Sequence, residues 1–108
     1  MIEEKRAYPR KKVSLSTSVL ETKTKKVLGE CILTDISKNG FAVESEKFFS
    51  IGQQFSLDFE VLHRKIILSG IIIRIAEGIF YPLYGLKIVD NECKNLDFFR
   101  RYIDYSLN

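Results

Sequence analysis

Two short clusters hold the residues best suited to recognising a small polar molecule. Arg6 and Arg10 stand four residues apart in Arg6-Ala7-Tyr8-Pro9-Arg10. A guanidinium offers a planar fork of donors that pairs bidentately with an anion or with the acceptor edge of a flat ring. Downstream, Thr34-Asp35-Ile36-Ser37-Lys38-Asn39-Gly40-Phe41 brings a carboxylate, a hydroxyl and a glycine close together. The carboxylate accepts from two donors at once, and the hydroxyl serves with either polarity. One cluster supplies donors and the other acceptors, which is the chemistry of binding.

Bond-making chemistry has little to draw on. His63 is the only histidine, and it falls in Leu62-His63-Arg64-Lys65, between two strand patterns. That is the place of a solvated hairpin tip. No Ser-His-Asp or Cys-His arrangement suggests itself, so the chain does not read as an enzyme. Cys31 and Cys93 are the only cysteines. They are expected to be reduced thiols acting as small hydrophobes, and without a CxxC pair no metal site or cofactor is expected.

The elements that must position the two clusters are mostly strands. With 108 residues, 45% of them hydrophobic, the chain is one domain with a real core. Residues 1–12 carry Lys5, Arg6, Arg10, Lys11 and Lys12 against Glu3 and Glu4, with Pro9 among them. Proline disfavours a helix there, so 1–12 reads as a flexible basic arm and 13–108 as the folded body. Alternating apolar residues predict strands over 13–20, 27–36, 41–45, 53–61, 65–76 and 84–89. Phe48, Phe49 and Ile51 are expected to tuck against the body from the loop before the fourth strand. On that strand Phe55, Leu57 and Phe59 should face inward, with Ser56, Asp58 and Glu60 wet. Asn39-Gly40 is expected to supply the positive φ of a tight reversal. After an N-cap at Asp90 or Asn91, Leu96, Phe99, Ile103 and Leu107 recur at helical spacing. Six strands with regular turns and a terminal helix predict an all-β fold, a small six-stranded antiparallel β-barrel with a C-terminal α-helix.

These features resemble the PilZ domain family, whose signatures are RxxxR and, further on, DxSxxG. Arg6 and Arg10 match the first, while Asp35, Ser37 and Gly40 match the second. Tyr84-Gly85-Leu86-Lys87-Ile88 also resembles the closing strand of that family. The resemblance implies the same barrel and a receptor for cyclic di-GMP, which carries two guanines and two phosphodiester charges. On that reading Arg6 and Arg10 meet guanine O6 and N7 or the phosphates, and Asp35 accepts from guanine N1–H and N2–H₂. Ser37 offers its hydroxyl, Gly40 shapes the turn, and Lys5 is a further cation within reach of the phosphates. The implied role is an adaptor acting in trans on an unidentified effector protein, in control of motility, exopolysaccharide or attachment. The alternative is a constitutive protein-interaction module that keeps the barrel without the nucleotide.

Charge and hydropathy set the remaining bounds. A net charge of +3 suits an anionic ligand but lacks the dense basic stripe expected for nucleic acid. The start of the chain, Met1-Ile2-Glu3-Glu4, lacks the apolar core of a leader, and Ile71 to Ile73 is too short to span a bilayer. A cytoplasmic protein with no membrane insertion is the expectation.

Overall fold

A computed structural model describes residues 9–107. Strand β1 spans Lys11–Leu20, β2 Val27–Ile36, β3 Gly40–Glu44, β4 Gln54–Val61, β5 Arg64–Glu77 and β6 Pro82–Ile88. A short 3₁₀ turn at Asp90–Glu92 follows, and helix α1 covers Leu96–Leu107. The strands form a closed barrel in the order β1-β2-β3-β6-β5-β4, antiparallel throughout. Closure gives every strand a neighbour on both sides. The closing seam is the shortest ladder, with only Val19↔Leu57 and Leu20↔Ser56 paired between β1 and β4.

Chain direction sorts the connections between the two ends. The start of β1, the β2–β3 turn, the β4–β5 hairpin and the end of β6 share one end. Helix α1 closes that end, driving Phe99 and Ile103 fully into the core, where Phe99 meets Phe59 edge-on at 6.2 Å. Burying a side chain of this size contributes about 1.5–3 kcal/mol, so these two residues hold the helix in place. At the other end Phe49 packs on Phe55 and Tyr84 at 5.0 and 5.4 Å. The buried Tyr84 hydroxyl donates to the Lys47 carbonyl and accepts from the Phe49 amide.

Several details depart from the sequence expectations. Strand β1 opens at Lys11, so Lys11 and Lys12 are paired residues, with Ile36 and Asp35 opposite them. Phe49 is buried, but Phe48 and Ile51 are 84% and 64% exposed: the loop anchors through one ring, and its neighbours point away. Ser56 is not wet, because Ser56, Ser69 and Thr22 form a buried chain of hydroxyl contacts leading to the Glu92 carbonyl. Asp90 and Asn91 belong to the 3₁₀ turn, while α1 starts after Asn95. Asn95 takes a left-handed φ of 59° and donates its side-chain amide to the Lys65 carbonyl. Among the described residues Gly52 is the only glycine at positive φ, so Gly40 does not make its turn that way.

Candidate functional site

Irregular pairing aims the Asp35 side chain. The β1–β2 register slips between Lys12 and Leu15, and the β2–β3 register slips between Leu33 and Asp35. A bulge breaks strict alternation and turns side chains toward new faces. Here it lets Asp35, Ile36 and Ser37 all be buried in succession.

Asp35 is the unusual member. Its side chain is 5% exposed, and among the described residues its Oδ1 accepts no hydrogen bond. The Lys12 ammonium lies 3.2 Å from that oxygen, an ion-pair distance without hydrogen-bond geometry, and the Lys12 side chain is 85% exposed. A carboxylate so far removed from water is costly unless donors satisfy it. Nothing in the local sequence singles out Lys12; only the register Lys12↔Asp35 reveals it.

Ser37 works within the turn. Its hydroxyl donates to the Gly40 carbonyl at 3.2 Å and accepts from the Gly40 and Asn39 amides at 3.1 and 3.4 Å. The Ser37 amide donates to the same Gly40 carbonyl at 2.9 Å. Gly40 is required by crowding: a Cβ there would lie 2.7 Å from the Leu86 carbonyl oxygen, inside contact distance. The site's glycine therefore permits β3 and β6 to approach.

Arg10 is described and half-buried, one residue before the Lys11↔Ile36 pair, on the side of the barrel end that carries Ser37. Lys5 and Arg6 lie outside the described residues. So does the arm itself as far as residue 8.

The turn is also held from α1. Arg100 Nε donates to the Lys38 carbonyl at 2.7 Å, while its two terminal nitrogens pair with the Asp90 carboxylate at 3.0 and 3.1 Å. Hydrogen bonding from Arg100 holds the Asp90 carboxyl below its ordinary range, and Asp90 raises the Arg100 guanidinium in return. Lys38 Nζ meets Asp104 at 3.0 Å. An open cleft of about 680 Å³ runs along this junction, lined by Lys38, Asn39, Asp90, Asp97, Arg100, Arg101 and Asp104. Its three carboxylates disfavour an anion, and two of its cations, Lys38 and Arg100, are already paired.

A family model described as the PilZ domain matches residues 4–105. No curated protein matches the chain. Among solved structures it is similar to the Bacillus subtilis inhibitor of motility, MotI/DgrA, with a TM-score of 0.70 and 17% identity. That likeness covers 97% of this chain and 52% of the other, so the chain spans about half the length of its structural neighbour.

Proposed function

The chain belongs to the PilZ domain family, and we propose that it is a receptor for cyclic di-GMP that binds where the basic arm meets the Asp35 turn. The observation that carries this reading is the buried Asp35 carboxylate, whose Oδ1 accepts no hydrogen bond among the described residues. The N1–H and N2–H₂ edge of a guanine supplies donors of the right number and direction for such a group. Arg10, with Arg6 and Lys5 on the same arm, then meets the guanine acceptor edge or the phosphates. Ser37 and Gly40 keep the turn in the shape that presents Asp35. The output is exerted on an effector protein, in motility, exopolysaccharide or attachment control; motility is the process named for the structural neighbour.

A second reading rests on the opposite end of the barrel. Ile79 and Phe80, between β5 and β6, are 83% and 81% exposed, as suits a surface that engages a protein without any nucleotide. Isothermal titration with cyclic di-GMP, GTP and a short oligonucleotide separates these readings. We expect saturable binding of cyclic di-GMP alone. Arg10→Ala and Asp35→Ala should each weaken it by about 2–5 kcal/mol, the range for truncating one partner of a buried charge-assisted contact. Mutant and wild-type isotherms that overlay each other would rule the receptor reading out.

A further inference from the structure

Three carbonyls define the path of the chain through the ligand turn, and each has its own anchor. The Gly40 carbonyl is held by the amide and hydroxyl of Ser37, and the Asn39 carbonyl by the Ile88 amide at 3.0 Å. The Lys38 carbonyl is held by Arg100, 62 residues away on α1. The first two anchors are local or belong to the β-sheet. The third joins the helix to the turn.

We infer that Arg100 is a positioning residue for the cyclic di-GMP site, setting the turn that carries Ser37 and, through it, the Asp35 carboxylate. This rests on the receptor reading above. The Asp90 carboxylate fixes the guanidinium plane by a two-point contact, which leaves Nε with one orientation, and that orientation meets the Lys38 carbonyl. A planar fork anchored at two nitrogens loses little further freedom when its third donor engages. Lys38–Asp104 spans the same junction, but both groups are partly exposed, and a pair of that kind contributes little. Helix α1 is itself seated by Phe99 and Ile103, so the clamp has a rigid base. Without the Arg100 bond, the Lys38–Asn39 peptide would keep only the 3.4 Å bond from the Asn39 amide to the Ser37 hydroxyl, and a turn so loosely held would have to be reordered at each binding event, which lowers affinity.

The test compares Arg100→Met, Asp90→Asn and Ile103→Val in the full chain. Cyclic di-GMP affinity is measured by titration, and amide hydrogen exchange is measured without ligand. Arg100→Met should weaken binding about tenfold, the scale of one hydrogen bond from a charged donor. Asp90→Asn, which keeps the Lys38 bond but frees the guanidinium, should cost about threefold. Ile103→Val lowers stability by removing one methyl from the core, leaves the clamp intact, and should keep affinity within about twofold. In Arg100→Met, the Asn39 and Gly40 amides should exchange faster while the strand amides stay protected. A purely structural role for Arg100 would instead loosen all of them together. If wild type binds and Arg100→Met binds equally well, or if Ile103→Val loses affinity to the same degree, the inference is wrong and the receptor reading stands. If wild type itself does not bind, both fall.

Discussion

At the residue scale, the proposed site depends on a carboxylate kept where carboxylates are costly. Among the described residues Asp35 has one cation beside it, the largely solvated Lys12, and the surrounding barrel offers its Oδ1 no donor. Removing such a group should relieve desolvation and leave the fold intact. Asp35→Ala is therefore expected to keep or raise the ligand-free melting temperature, by up to about 1–2 kcal/mol of stability, while weakening binding by about 2–5 kcal/mol. A fall of several degrees would make Asp35 a structural turn residue. Gly40 behaves in the opposite way. Its Cβ position lies 2.7 Å from the Leu86 carbonyl, so even Gly40→Ala should destabilise by about 1–3 kcal/mol, read as a lower urea midpoint. The sequence reading expected Gly40 to shape the turn through positive φ, whereas the structure shows a close approach of β6. Left-handed backbone is a local property that a dipeptide can suggest, whereas close approach of β6 comes from pairing with residues more than forty positions away.

At the scale of elements, the turns fall where the sequence placed them but not with the geometry it suggested. Asn39-Gly40 carries the usual hairpin composition but takes no left-handed φ among the described residues. The two-residue left-handed loop is instead Leu62-His63, with φ of 49° and 66°, between the paired residues Val61 and Arg64. The hydrophobic alternation of β4 and β5 fixes their register, and register then forces whatever residues lie between into the mirror-image turn. That is why the strands were legible here while turn geometry was not. Alternation survives tertiary context, but a bulge, a Cβ clash or an anchor from a distant element such as Arg100 has no signature in its own neighbourhood. Leucine and histidine both bear a Cβ penalty in this conformation. Replacing Leu62-His63 with Asn-Gly should stabilise the protein by about 1–2 kcal/mol, measured by urea unfolding. Cyclic di-GMP affinity should be unchanged, which also tests whether His63 is as free of function as its hairpin-tip position suggests.

For the molecule as a whole, the proposed site occupies one end of the barrel axis. The start of β1, the β2–β3 turn and α1 form one end, and the core behind them is a single cluster running from Phe99 through Leu68 and Leu33 to Phe49. Cys31 sits in that cluster as a free, buried thiol, so its ionisation reports on the integrity of the entire barrel. Burial pushes its pKa from 9.0 up to about 12, with neighbouring Glu30 adding to the rise. The folded state thus holds this proton more tightly than the unfolded chain does. The resulting stabilisation is fully present below pH 9, declines above it, and is lost as pH rises through the folded value of about 12. Near pH 10.5 the thiol should have cost the fold about 2 kcal/mol, a large share of the stability of a small domain. Lysines and tyrosines titrate in the same range, so the informative quantity is a difference between proteins. Cys31→Ala gives up some packing at pH 7 but has no thiol to ionise. Between pH 7 and about pH 10.5 its unfolding free energy should therefore fall by roughly 2 kcal/mol less than that of wild type. Parallel losses in the two proteins would mean that the barrel admits water to Cys31 before it unfolds, and the short β1–β4 seam, with its two residue pairs, is where such an opening would begin.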